Sequence, residues 1–79
     1  MKNKLAAIEG ILFSMGTSVT RRQLMEALEI DDEQFDELIR LLQTEYDKEE
    51  RGIRLLELDD AYQLCTKTEY YGSLLISNQ

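Results

Sequence analysis

The sequence predicts a small α+β fold, a winged helix made of a helix-turn-helix and a β-hairpin wing. Two helix starts with the same capping pattern lie eleven residues apart, at Thr20 and Asp31. After Gly52 the hydrophobic period changes from that of a helix to that of a strand. A short helix, an apolar turn at Ile30 and a longer helix make the helix-turn-helix. The period-two region supplies the wing.

Lys2 to Gly16 is the first predicted helix. Leu5, Ile8, Leu12 and Met15 share one stripe, Ile11 lies beside it, and Gly16 supplies the stop. Ala6, Gly10 and Phe13 fall off that stripe, next to Glu9, so the helix is apolar on more than one side. This distribution favours a central helix with neighbours on both flanks over a partner-facing Ala6-Gly10-Phe13 patch.

Thr17 to Val19 is short and β-leaning. In Val19-Thr20-Arg21-Arg22-Gln23-Leu24, the Thr20 hydroxyl can accept from the Gln23 amide while the Gln23 side chain returns to the Thr20 amide. Val19 and Leu24 close an apolar staple outside that box. The helix it opens runs from near Arg21 to about Glu29, with Leu24, Ala27 and Leu28 inward and Arg22, Glu26 and Glu29 outward. Ile30-Asp31-Asp32-Glu33-Gln34-Phe35 repeats the pattern, with Asp31 as cap, Gln34 returning and Ile30 against Phe35. From Asp32 onward, Phe35, Leu38, Ile39, Leu42 and Tyr46 form an inner stripe. Glu33, Asp36, Glu37, Arg40, Gln43, Thr44 and Asp47 lie opposite, on the face that a DNA-reading helix presents to the major groove.

The charged run Glu45 to Arg51 ends at Gly52. Ile53 to Leu58 and Ala61 to Thr66 then read as two strands joined by Asp59-Asp60, a weaker turn than Asn-Gly. Across that turn Ile53, Leu55, Tyr62 and Leu64 share one face, and Leu56, Leu58, Ala61 and Cys65 share the other. Both faces are half apolar, so the outer one is expected to meet the C-terminal segment or another chain. A third capping box follows, with Thr66 as cap, Glu69 returning and Cys65 against Tyr70. It predicts a short helix from near Lys67 that carries Tyr70, Tyr71, Leu74, Leu75 and Ile76. The expected plan is a winged-helix domain over residues 1–66 and a helical segment over residues 67–79.

Charge and composition narrow the function. The 79 residues carry 16 acids against 9 bases, a net charge of −7. Nucleic-acid binding draws its affinity from neutralising phosphates with Lys and Arg, which this balance opposes. From Glu29 to Glu37 there are six acids and no base, and the wing tip Asp59-Asp60 is acidic too. Arg21 and Arg22 are the basic pair outside the termini, expected to be solvated. The chain has no histidine to serve as a base and nothing to activate Cys65, which is expected to be a buried strand thiol. The acid pairs Asp31/Asp32, Asp36/Glu37, Glu49/Glu50 and Asp59/Asp60 sit at helix starts, outer faces or turns. No calcium-loop spacing or glycine-rich phosphate loop occurs, so no catalytic residue, cofactor or metal is expected. One cysteine, no leader and no long apolar run point to the cytoplasm and away from a membrane.

Taken in order, LAAIEGILFSMG, VTRRQLMEAL, the long acidic helix and RGIRLLELDDAYQLCTKTEYY resemble the segregation and condensation protein B (ScpB) family. The resemblance runs from about Leu5 to Tyr71 and corresponds to that family's N-terminal winged helix. Its most specific pieces are Ile8-Glu9-Gly10-Ile11-Leu12-Phe13 and the hairpin with Thr66-Lys67-Thr68-Glu69-Tyr70. Asp59-Asp60-Ala61 departs from the glycine usual in the family's hairpin turn, and Thr68 from a frequent proline. The resemblance implies a non-enzymatic subunit of the bacterial SMC complex that forms a homodimer through its N-terminal domains. It further implies binding to the kleisin subunit (ScpA), and through it to SMC, in chromosome condensation and segregation. It also implies a second winged helix beyond residues 67–79, so that the chain holds the dimerising half. Interface candidates are Phe13, Leu56 and Leu58 on the outer wing face, and Tyr70, Tyr71, Leu74 and Leu75 in the tail. The alternatives are a winged-helix DNA-binding transcription regulator and an enzyme fragment.

Overall fold

The side chain of Asn3 accepts the Ala6 amide at 3.0 Å and so starts helix α1, Lys4–Met15. Gly16, at φ 71, ends it by returning its own amide to the Leu12 carbonyl. The computed structural model describes residues 3–67. After α1 come β1 (Val19–Thr20), α2 (Arg21–Leu28), α3 (Asp32–Tyr46), β2 (Ile53–Leu58) and β3 (Ala61–Thr66).

The first two predicted capping boxes close. Gln23 N–H donates to Thr20 Oγ1 at 3.1 Å and Thr20 N–H to Gln23 Oε1 at 3.0 Å. Gln34 N–H donates to Asp31 Oδ1 at 2.9 Å and Asp31 N–H to Gln34 Oε1 at 3.2 Å. The staple residues Val19, Leu24, Ile30 and Phe35 are all buried. Between the two boxes, Glu29 adopts a left-handed conformation at φ 56. Its amide reaches the Glu26 carbonyl and that of Ile30 reaches Met25, the paired bonds of a Schellman turn. Ile30 and Met25 both pack on the core, supplying the apolar contact that accompanies this motif.

The sheet is antiparallel with order β1-β3-β2. Leu58 pairs with Ala61 across a two-residue turn, which gives the two face assignments predicted from the sequence. β1 adds a third strand, with Val19 opposite Tyr62 and Thr20 opposite Ala61. Neither Asp59 nor Asp60 has positive φ, so this turn does not need the glycine that a primed hairpin turn demands. The Asp60 carbonyl accepts the Arg21 amide at 2.8 Å, fastening the turn to the start of α2. At the other end of the hairpin, the Lys67 amide donates to the Gly52 carbonyl at 2.9 Å and its ammonium to the Lys48 carbonyl at 2.9 Å.

Ile8 and Leu12 of α1, Leu24 and Leu28 of α2, and Phe35, Ile39, Leu42 and Tyr46 of α3 meet Tyr62 of the sheet in one core. Three details differ from the sequence expectation. Met15 is 53% exposed, because it lies one turn beyond Leu12, the last fully packed residue of the α1 stripe. Ala27 is exposed while Met25 packs inward. The two flank the Leu24–Leu28 line on opposite sides, and the long thioether reaches the core where a methyl group does not. Cys65 is half-buried rather than buried, because it sits on the outer hairpin face and not on the core face.

Candidate interaction surfaces

Three surfaces follow from this packing. The first is the outer face of α1. Among the described residues, neighbours cover only one flank of the helix, where the expectation was cover on both. Ala6 and Gly10 are exposed, Phe13 is 81% exposed, and a side chain added at Gly10 would meet nothing within 4 Å. Beside Ala6 a groove of about 500 Å³ opens between α1 and the C-terminal half of α3, walled by Leu5 and Leu41. Leu41 is 39% exposed and was not among the residues expected at an interface. Its signal in the sequence is an apolar residue on the shoulder of α3, outside the stripe from Phe35 to Tyr46.

Glu9 lies on the same helix but is engaged inward, where it accepts the hydroxyl hydrogen of buried Tyr46. Burial first, and then the Glu9 carboxylate, push the Tyr46 phenol above its ordinary pKa. At the end of α3, Glu45 binds both Lys48, at 3.0 Å, and Arg51. Its hydrogen bonds to these two cations, Lys48 first, hold its carboxyl below the usual carboxylate range.

The second surface is the outer face of the hairpin. Leu58 is 41% exposed, and Leu56, Ala61 and Cys65 beside it are half-buried. The register thus brings Leu56 and Leu58 together and leaves Phe13 on a separate element. Tyr70, Tyr71, Leu74 and Leu75, together with the third capping box, lie outside the described residues.

The third is the outer face of the helix-turn-helix. Asp31, Asp32, Glu33, Asp36 and Glu37 are all exposed there. Arg21 is not the solvated residue expected from the sequence. Its guanidinium pairs with Asp36 at 2.9 Å and Asp32 at 3.0 Å, and its carbon lies 4.7 Å from the centroid of the Phe35 ring. Phe35 in turn meets Tyr62 edge-on, with centroids 5.4 Å apart. The bond to Asp36, followed by that to Asp32, raises the Arg21 pKa still further, so it is permanently charged. The Arg21 guanidinium is therefore spent on acids of the would-be recognition helix. A duplex docked on this face would meet carboxylates.

Among the described residues no group of three or more His, Cys, Asp or Glu side chains converges as a metal site would, and no helix is long and apolar enough to cross a membrane.

A crystal structure of a dimer of the ScpB N-terminal domain complexed with ScpA peptide superposes with a TM-score of 0.82 at 34% identity, covering 89% of this chain and 88% of that one. Segregation and condensation protein B of Lachnoclostridium phytofermentans is 36% identical over 75 residues, 95% of this chain and 40% of that protein. Its counterpart in Caldanaerobacter subterraneus subsp. tengcongensis is 43% identical over 63 residues, 80% of this chain and 38% of that protein. The chain thus spans about 40% of the length of these curated relatives. The family model described as segregation and condensation complex subunit ScpB matches residues 6–76, and the chain belongs to that family.

Proposed function

We propose that this chain is the self-associating winged-helix module of a ScpB subunit, a non-enzymatic scaffold that pairs with a second copy and binds a segment of the kleisin ScpA. Through the kleisin it joins the SMC complex and acts in chromosome condensation and segregation, in the cytoplasm at the nucleoid. The observation that carries this reading is the likeness, over 89% of the chain, to a ScpB N-terminal domain solved as a dimer with ScpA peptide. The acidic helix-turn-helix face supports it, since contact through protein surfaces fits these residues and contact through phosphates does not. Residues 1–66 form the working unit, and residues 67–79 lead from it towards a further domain. Tail residues Tyr70, Tyr71, Leu74 and Leu75, with Leu56 and Leu58, remain candidates for protein contact.

The test is the solution mass of the 79-residue chain by light scattering over a dilution series, paired with fluorescence anisotropy of peptides tiled along ScpA. A mass of twice the chain that binds one of the peptides is expected. A monomer that binds none of them refutes the proposal.

A further inference from the structure

Strand β2 forms one edge of the sheet, and β1, at the other edge, is only two residues long. The Lys67 amide donates to the Gly52 carbonyl just before β2, which fixes the alternation along the hairpin: the even-numbered residues of β2 bond to β3. The amides and carbonyls of Ile53, Leu55 and Glu57 therefore point away from the sheet, and among the described residues no hydrogen-bond partner meets them. Edges of this kind are commonly blunted by a bulge, a proline or great shortness. The six residues of β2 have none of these. They pair with β3 without interruption from Ile53 and Thr66 to Leu58 and Ala61, and the chain contains no proline.

The side chains beside this edge on the outer hairpin face are Arg54, Leu56 and Leu58. Arg54 is exposed and, unlike Arg21, Arg40 and Arg51, has no ion pair among the described residues. Charge is unevenly spread along the strand. Towards the turn stand three acids, Glu57, Asp59 and Asp60. Towards Gly52, Lys48, Arg51 and Lys67 offset Glu45, Glu49 and Glu50, so Arg54 tips that end positive.

We infer that the free edge of β2 docks an extended segment of a partner protein, which adds to the sheet as an antiparallel strand with an acid opposite Arg54 and apolar residues opposite Leu56 and Leu58. Outward backbone groups at every second residue are matched by an extended chain and not by a helix, whose own amides are already bonded. The antiparallel direction continues the pairing of the other strands. The partner then reads, from N- to C-terminus, apolar-x-apolar-x-acid. In this register Arg54, Leu56 and Leu58 fall at the pairs that exchange no hydrogen bonds with the new strand, where opposing side chains come closest. Leu58, 41% exposed, and half-buried Leu56 would gain cover on their open side. The site lies on the hairpin and needs no second copy, so it goes beyond the self-association proposed above.

The probe is the capped peptide TLTLTET, titrated into the isotope-labelled 79-residue chain, with amide shifts and hydrogen exchange as readouts. In the free chain the amides of Ile53, Leu55 and Glu57 should exchange at least about tenfold faster than those of Arg54, Leu56 and Leu58, and bound peptide should slow them. Methylating the amide of the threonine before the glutamate, which faces Leu55 in this register, should weaken binding at least about tenfold. Methylating the amide of the second leucine, which faces solvent, should weaken it less than about threefold. Arg54→Glu, at an exposed position, should weaken binding about fivefold with unchanged melting. Slow exchange at all three amides in the free chain would show the edge already covered, by residues 68–79 or by a second copy, and would overturn the proposal. So would an absence of peptide-induced shifts along β2, or equal losses from the two methylations.

Discussion

Arg21 is where four parts of the fold are joined. Its amide holds the wing turn, its guanidinium holds two carboxylates of α3, and its plane lies over Phe35, which touches Tyr62. Its partners Asp32 and Asp36 are largely exposed, so the ion pairs are partly screened. The ring contact and the packed stem are less so. Arg21→Ala should cost about 1–2 kcal/mol, read as a lower urea midpoint at unchanged slope, with the loss shrinking in high salt. Tyr46 gives a pH signature. Its pKa is raised on folding by burial and by Glu9, so the folded state holds the proton to higher pH than the unfolded chain. Stability is thus fully present below the ordinary tyrosine value and falls as pH rises beyond about 10. Tyr62 is shifted the same way, by burial first and then by Glu57, and steepens the fall. Melting temperatures between pH 8 and pH 11 should show a shallower alkaline loss in Tyr46→Phe than in wild type. At neutral pH the same variant should be less stable by about 1 kcal/mol through the lost bond to Glu9.

At the scale of elements, local chemistry carries most of the information. Each capping box is a contact between residues three apart, so the starts of α2 and α3 could be read from Thr20-Gln23 and Asp31-Gln34 without knowing the fold. Thr20→Ala and Asp31→Ala should each cost about 1 kcal/mol. In a domain of this size each should lower the melting midpoint by roughly 4–8 °C. The hairpin register was legible for the same reason, since Leu58 and Ala61 flank the turn and every later pair follows from them. What could not be read depends on contacts distant in sequence. The ion pairs of Arg21 span eleven and fifteen residues, and Glu9 meets Tyr46 across 37. The pairing of β1 with β3 joins Val19 to Tyr62. The exposure of Phe13 and Leu41 depends on which flank of α1 its neighbours occupy, and helical period alone does not contain that choice. Phe13, Leu56 and Leu58 were legible as surplus apolar residues, whereas the groove between α1 and α3 beside Ala6 was not.

At the scale of the whole molecule, fold and charge point in different directions, and charge decides what the surface can touch. A helix-turn-helix with a wing has the outline of a duplex reader, yet at −7 the chain should give no gel shift with short duplex DNA at physiological salt. A shifted band that weakened steeply with added salt would show that phosphate contacts exist after all.

The engagement of Arg21 by Asp32 and Asp36 has a consequence for any encounter with nucleic acid. DNA is sheathed in condensed cations, and bringing up a cationic patch releases them with a gain of entropy. With Arg21 held by Asp32 and Asp36, the cation at the start of α2 has nothing to exchange for those ions. The remaining carboxylates of the helix-turn-helix face compete with the phosphates for the same cations. The helix with the outline of a reading head therefore repels the polymer that such a helix would otherwise read.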